Sequence, residues 1–129
     1  PDNLLFSEDG VVKVGDFGLA MQLNHSVSAR SSIHGTDLYM APEVYNNNTV
    51  LKSDVWSLGI SIIEMAEGKN PYAGLAPLAI MREVVDGKLP SLTSPGWSSD
   101  LVDFVSHCLV KDVEKRASAE ELMKVSASL

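Results

Sequence analysis

One stretch near the middle of the chain is apolar on nearly every side of a helical wheel. Residues 52–69 read KSDVWSLGISIIEMAEGK, which leaves only a narrow polar strip. A helix that is apolar nearly all round is normally buried, and this one is too short and too charged to span a membrane. We therefore predict a buried central helix on which the rest of the chain packs, with Ser53 capping its start and Gly68 ending it.

Two short apolar runs precede this helix and predict a β-hairpin. They cover residues 3–6 and 11–14, and the turn between them ends in Gly10. A hairpin brings its outer ends together, so we expect Asn3 to lie near Asp16, just beyond the second run. Amide and carboxylate oxygens suit Mg²⁺, which prefers one or two carboxylates, water and substrate phosphates. Asp and Asn also cap turns in ordinary loops, and the two residues alone leave that interpretation open.

The segment between the hairpin and the central helix predicts a long loop. Residues 19–39 show no clear period and are rich in hydroxyl side chains. A loop of this length in a compact domain is uncommon unless it is functional or disordered. Three further helical patterns follow the central helix, at residues 75–85, 101–109 and 119–125. The whole pattern predicts a mainly α fold with one small hairpin.

Composition and charge narrow the class of protein. The 129 residues are 45% hydrophobic, as in an ordinary globular domain, and carry a formal net charge of −7. An acidic chain without a basic cluster is a poor surface for nucleic acid or an anionic membrane. The histidines lack zinc-ligand spacing, and Cys108 is predicted to pack as a small hydrophobe. Without a signal peptide or a membrane-spanning run, we expect a cytoplasmic protein.

Several short motifs occur in an order that is far more specific than any one of them. Asn3 precedes the hairpin, Asp16-Phe17-Gly18 follows it, and Ala41-Pro42-Glu43 closes the hydroxyl-rich loop. This order resembles the later part of a protein kinase catalytic domain, in which H-R-D-L-x-x-x-N precedes D-F-G and A-P-E. The resemblance covers essentially the whole chain. It implies that residues 1–129 form a partial kinase domain, the C-terminal lobe.

The resemblance implies chemical roles for the matching residues. Asp16 would bind the Mg²⁺ that bridges the ATP phosphates, and Asn3 would bind a second ion. Phe17 would pack inward beside Asp16. Thr36 would contact the catalytic Asp and help to position Ser or Thr substrates.

Other matches are implied to be architectural. Glu43 would pair with an Arg in a late helix, which here is Arg116. Asp54 would accept backbone hydrogen bonds from the catalytic loop. The core would include three residues of the central helix: Trp56, Leu58 and Ile62.

Flanking residues make the resemblance closest to the STE group of Ser/Thr kinases, in its sterile-twenty or germinal-centre branch. Residues 40–44, 56–60 and 108–111 carry this likeness. Counting back from the Gly-Thr pair, Ser32 falls at the activating phosphosite of that branch, with Ser31 as the alternative. An upstream activating kinase would add the phosphate. The phosphate would bring about −1.5 to −2 charges and would order the loop.

Part of the kinase pattern belongs upstream of this chain. The catalytic Asp of the motif stands five positions before Asn3, ahead of Pro1, as do the Gly-rich loop and the strand Lys. We therefore expect these 129 residues alone not to transfer phosphate. Apolar surface of the central helix should be exposed, since the helices that normally cover it are missing. The alternative is a non-catalytic kinase-like scaffold that docks on a partner; retention of Asn3 and Asp16 favours the enzyme.

Overall fold

The computed structural model describes residues 1–18, 20 and 37–126. These residues form a two-stranded antiparallel hairpin, two short 3₁₀-helices and four α-helices. The predicted mainly helical architecture with one small hairpin is thereby confirmed. Within the described ranges, no helix combines the length and the apolar character needed to cross a membrane.

The hairpin consists of β1, Leu4–Phe6, and β2, Val12–Val14. Leu4 pairs with Val14 and Phe6 with Val12. The connecting turn depends on Gly10, whose φ of 78° lies in the left-handed region that glycine adopts without a steric penalty. Both strands begin one residue later than predicted, and the turn is where the sequence places it.

The central helix α1 spans Leu51–Glu67. Its N-cap is Val50, and Ser53 is the third helical residue, so the prediction that Ser53 is the cap is wrong. The Ser53 hydroxyl oxygen still serves the helix start, because it accepts a 3.1 Å hydrogen bond from the Val50 backbone N–H. Gly68 ends the helix with a φ of 72°, as predicted.

The described residues also include two 3₁₀-helices and three further α-helices. The 3₁₀-helices are Asp37–Tyr39 and Pro42–Asn46, and the α-helices are α2, Pro77–Val85, α3, Ser99–Cys108, and α4, Ala119–Ser126. The segment predicted as loop therefore ends in helical turns. One of these turns, Asp37–Tyr39, contacts α1, and α2 contacts both 3₁₀-helices. α3 contacts both α1 and α4.

At Gly59, α1 packs closely against the end of α3. A Cβ atom at this position would lie 2.8 Å from both Cys108 Cβ and Leu109 Cδ2. No real Cβ tolerates that distance, so glycine is what allows α1 and α3 to approach. Cys108 is fully buried, as predicted, and burial raises the pKa of its thiol to about 12. It is therefore a packing residue.

Burial of α1 is one-sided. Leu51, Leu58 and Met65 recur every seven residues along one stripe and are 77%, 36% and 49% exposed. The prediction of exposed apolar surface on this helix is confirmed. Placing Leu58 in the core was wrong, and Ile62 is only half-buried. Trp56, in contrast, is fully buried.

Candidate active site

The open end of the hairpin brings the two predicted metal ligands into one neighbourhood. The Gly15 backbone N–H donates a 2.8 Å hydrogen bond to the Asn3 carbonyl oxygen, which continues the strand pairing one step beyond β1 and β2. Asp16 follows Gly15 directly. The side chains of Asn3 and Asp16 are both exposed at this end of the hairpin.

Asp16 has an unusual backbone conformation. Its φ of 55° lies in the left-handed region, where Asp is one of the few residues found routinely besides glycine. The carboxylate closes the turn by accepting a 3.3 Å hydrogen bond from the Gly18 backbone N–H through Oδ1. Among the described residues, Oδ2 has no hydrogen-bond partner, which leaves it available to an external ligand.

The donor set at this end fits Mg²⁺ better than a transition metal. It offers one carboxylate and one amide oxygen, and Mg²⁺ is usually held by one or two such ligands plus water and substrate phosphates. In the part of the chain that the structure describes, no group of three or more His, Cys, Asp and Glu side chains could hold a metal ion. A magnesium ion here would therefore depend on phosphate oxygens for much of its coordination.

Phe17 does not take its predicted position. Its side chain is 69% exposed, so the expectation that it packs inward is wrong for this arrangement of the chain. Its backbone carbonyl accepts a 3.0 Å hydrogen bond from the Ala20 N–H, which leaves the ring itself exposed. Burial of a phenylalanine requires several neighbouring side chains, and the described residues do not enclose it.

Tyr39 fixes the end of the hydroxyl-rich loop to α1. Its hydroxyl donates a 2.7 Å hydrogen bond to Glu64 Oε2, and the Asn70 side-chain amide donates a 2.8 Å bond to the same oxygen. Burial, followed by the Glu64 carboxylate, raises the pKa of the Tyr39 hydroxyl to about 12. The Tyr39 carbonyl also accepts a 2.8 Å bond from the Ser57 hydroxyl. The sequence pattern does not reveal this network, because Tyr39 lies 25 positions from Glu64 and 18 from Ser57.

Three predicted site residues, Ser31, Ser32 and Thr36, lie outside the described residues. The first described residue after them is Asp37, at the start of a 3₁₀-helix. Its Oδ1 atom is buried and has no hydrogen-bond partner among the described residues. The roles assigned to Ser31, Ser32 and Thr36 stay predictions.

Glu43 and Arg116 form a buried ion pair. Two hydrogen bonds of 2.7 and 2.8 Å join the guanidinium to the two carboxylate oxygens, a bidentate geometry. The residues are 8% and 1% exposed. Burial alone would raise the pKa of Glu43, but hydrogen bonds from Arg116 and from Ser53, at 2.8 Å, hold it below its usual value. Glu43 is therefore ionised and fully paired.

Arg116 reaches two further parts of the chain through its remaining donors. It donates a 2.9 Å hydrogen bond to the Lys52 carbonyl at the start of α1 and a 2.8 Å bond to the Val110 carbonyl beyond α3. Its guanidinium carbon also lies 5.2 Å from the centre of the Trp56 ring, within cation–π range. The resemblance placed this Arg in a late helix. Arg116 lies instead in the connection between α3 and α4.

Asp54 has an exposed side chain in the first turn of α1. No hydrogen bond from another described residue reaches its carboxylate. An acidic group there suits the positive end of the helix macrodipole. Its predicted role as an acceptor for the catalytic loop stays a prediction.

A second polar cluster, centred on Glu67 at the end of α1, was not predicted. The carboxylate accepts five hydrogen bonds of 2.6–3.2 Å from the backbone and hydroxyl of Thr93, the backbone and hydroxyl of Ser94, and the Trp97 indole. Bonds from Ser94 and then from Thr93 lower the pKa of Glu67 to about 2. The segment between α2 and α3 is thereby attached to the end of α1. No sequence signal links residues so far apart.

A small hairpin whose open end carries Asn3 and Asp16, followed by a helical core joined through Glu43 and Arg116, is the arrangement expected of a protein kinase C-terminal lobe. The family model for the protein kinase domain matches residues 1–126. The chain belongs to this family.

Relatives narrow the family further. The chain is 41% identical over 124 residues to the serine/threonine-protein kinase hippo of Drosophila melanogaster, and 46% identical over 123 residues to the serine/threonine-protein kinase pakF of Dictyostelium discoideum. These alignments cover 95% and 94% of the chain but only 18% and 10% of the two relatives. The predicted resemblance to STE-type Ser/Thr kinase domains is confirmed.

Proposed function

We propose that these residues form the C-terminal lobe of an ATP-dependent protein kinase that transfers the γ-phosphate to Ser or Thr of protein substrates. The observation that carries the proposal is the meeting of Asn3 and Asp16 at the open end of the hairpin, supported by the family match. The names of the two relatives support Ser and Thr as acceptors. Location in the cytoplasm is part of the same proposal.

Asp16 and Asn3 would hold Mg²⁺ through their side-chain oxygens. When bound, the metal would neutralise charge on the ATP phosphates during transfer. The contribution of this chain is to fix the two ligands on a paired hairpin end, with the Asp16 carboxylate oriented by the Gly18 N–H. Preorganisation of this kind avoids reorganising the ligands at the moment of reaction.

We further propose that the general base lies upstream of Pro1. The H-R-D-L-x-x-x-N motif places that Asp ahead of Asn3, outside these 129 residues. Loss of a general base typically costs about 10²- to 10⁴-fold, and loss of phosphate positioning adds to this. Residues 1–129 alone would therefore transfer no phosphate.

The test compares the full-length protein with residues 1–129 alone, each incubated with labelled ATP, Mg²⁺ and a Ser/Thr-containing acceptor protein. Transfer by the full-length protein, its loss on chelation of Mg²⁺, and none from the isolated residues is the expected result. Circular dichroism checks that the isolated chain is folded. A folded full-length protein that transfers nothing would overturn the proposal.

The scaffold alternative is supported by one observation, the exposed apolar stripe of Leu51, Leu58 and Met65. Such a surface on α1 would suit docking on an intact kinase or scaffold without catalysis. In the assay above, this alternative predicts no transfer from the full-length protein. If a Leu58→Asp variant retains phosphate transfer, the exposed stripe on α1 is not needed for catalysis.

Regulation by Ser32 forms part of the proposal. Its position relative to the Gly-Thr pair is that of an activating phosphosite, and a phosphate would add about −1.5 to −2 charges to the loop. We expect Ser32→Ala in the full-length protein to lower turnover, and Ser31→Ala to lower it less. If Ser32→Ala leaves both phosphorylation and turnover unchanged, Ser32 is not the site. Thr36 would position the acceptor hydroxyl beside the catalytic Asp.

A further inference from the structure

The segment between α2 and α3 is attached to the end of α1 mainly through the Glu67 carboxylate. Among the five hydrogen bonds to that carboxylate, the shortest, at 2.6 Å, comes from the Ser94 hydroxyl. Ser94 is nevertheless an exposed residue on an irregular segment. Its hydroxyl is therefore both the strongest link in this attachment and a group that an external enzyme can reach.

Ser94 also has a distinctive neighbour in sequence. Of the six prolines in the chain, only Pro95 follows a Ser or Thr. Proline removes a backbone donor and fixes φ, so that the residues around it adopt an extended or turn conformation. Kinases that require proline directly after the acceptor would find one such position in these 129 residues.

We propose that Ser94 is a phosphorylation site for a proline-directed Ser/Thr kinase, and that its phosphate releases residues 93–97 from α1. In the transfer, Ser94 Oγ forms a bond to the γ-phosphorus of ATP and the bond from that phosphorus to the bridging oxygen breaks. ADP leaves, and the hydroxyl proton passes to the base of the acting kinase. The proton that Ser94 had shared with Glu67 is thereby lost.

The physical effect of the phosphate follows from what surrounds Ser94. A group carrying about −1.5 to −2 charges would replace a hydroxyl donor that lies 2.6 Å from a carboxylate oxygen. The Glu67 carboxylate is ionised at neutral pH, as any glutamate of ordinary pKa would be, and the bonds from Ser94 and Thr93 lower its pKa further. Two anionic groups cannot remain in contact there. The repulsion would also separate Thr93 and Trp97 from Glu67.

Release would change the groove beneath the segment. An open cavity of about 670 Å³ lies beside Glu67, lined by residues that include Ile63, Tyr72, Leu89 and Thr93. Thr93 forms part of one wall and is held there through Glu67. Phosphorylation of Ser94 would thus widen the groove between α1 and α2. Lys69 and Lys88 line the same groove and offer the displaced phosphate a cationic partner.

The test uses the full-length protein, a proline-directed Ser/Thr kinase and MgATP. Fragmentation mass spectrometry of the tryptic peptide 89–111 distinguishes Ser94 from Ser91 and Thr93. We expect phosphate on Ser94, none in Pro95→Ala, and normal labelling in Ser91→Ala, a matched exposed serine of the same segment. Phosphate confined to Thr93 or Ser91, or absent from the peptide, would overturn the site.

Hydrogen exchange tests the release separately. We expect the Thr93 and Ser94 amides to exchange about tenfold faster after phosphorylation, since each donates to the Glu67 carboxylate. A Glu67→Gln variant removes the like charge, so its increase on phosphorylation should be clearly smaller than in the parent. Equal increases in the two proteins, or no increase in the parent, would overturn release by charge repulsion.

Discussion

Asp16 and Glu43 are both carboxylates that the kinase motifs single out, yet the structure treats them in opposite ways. Glu43 is buried and its oxygens are occupied by Arg116 and Ser53. Asp16 is exposed, and the described residues engage only one of its oxygens. The comparison shows how burial and saturation with hydrogen bonds mark Glu43 as a structural acid. The described residues leave one oxygen of Asp16 unengaged, which is what the metal binding proposed above would require.

The largest effect on stability is expected from Arg116→Ala. Removing it leaves the buried Glu43 carboxylate without its bidentate partner, which typically costs about 3–5 kcal/mol. The exposed-arginine variant Arg82→Ala on α2 is the matched control. Hydrogen exchange of α1 peptides in the full-length protein measures the loss. If the two variants are equally stable, the buried pair does not hold these elements together.

Asp16→Asn is expected to lower catalytic activity and to leave stability unchanged. Loss of the carboxylate should lower kcat by about 10²- to 10³-fold, as for removal of one preorganised electrostatic contact, and raise the Mg²⁺ concentration needed. Stability should stay unchanged, because the side chain is exposed. Asp9→Asn, in the turn of the same hairpin, is the control that should keep full activity. A stability loss as large as that of Arg116→Ala would show that Asp16 is structural after all.

Gly59→Ala tests the core that Arg116 helps to assemble. The new Cβ would lie 2.8 Å from Cys108 Cβ, so we expect a cost of about 1–3 kcal/mol from overpacking despite the better helix propensity of alanine. Leu109→Ala removes part of the obstruction. The double variant should therefore lose less than the sum of the two single variants. Strict additivity would mean that Leu109 does not contact this position.

The sequence predicted what depends on local pattern. The period of apolar residues predicted the four helices, and the turn ending in Gly10 predicted the hairpin whose open end brings Asn3 near Asp16. Motif order predicted the family and with it the Glu43–Arg116 pair, although not that Arg116 lies outside a helix.

The features that the sequence did not predict depend on tertiary contacts between residues far apart along the chain. Leu58 reads as core from its period, but its exposure depends on which side of α1 is covered. Phe17 likewise needs neighbouring side chains to be buried. The hydrogen bonds from Tyr39 to Glu64 and from Thr93 to Glu67 join residues 25 and 26 positions apart, and hydrogen bonds between such distant residues leave no periodic trace in a single sequence.

Glu67 lies between the two sides of the comparison, since it is only half-buried yet, like Glu43, saturated with hydrogen bonds. Its pKa falls from 4.5 to about 2 in the folded chain. Because the pKa is lower in the folded chain, the unfolded chain binds more protons at pH values between 2 and 4.5. The contribution of Glu67 to folding stability is therefore complete above pH 4.5 and declines as the pH falls towards 2. We expect Glu67→Gln to destabilise the segment 93–97 slightly at pH 6 and progressively less on acidification, measured as amide exchange relative to the parent. Glu8→Gln in the hairpin turn is the control and should show no such trend. If the difference in amide exchange between Glu67→Gln and the parent instead grows at low pH, the hydrogen-bonded carboxylate is not its source.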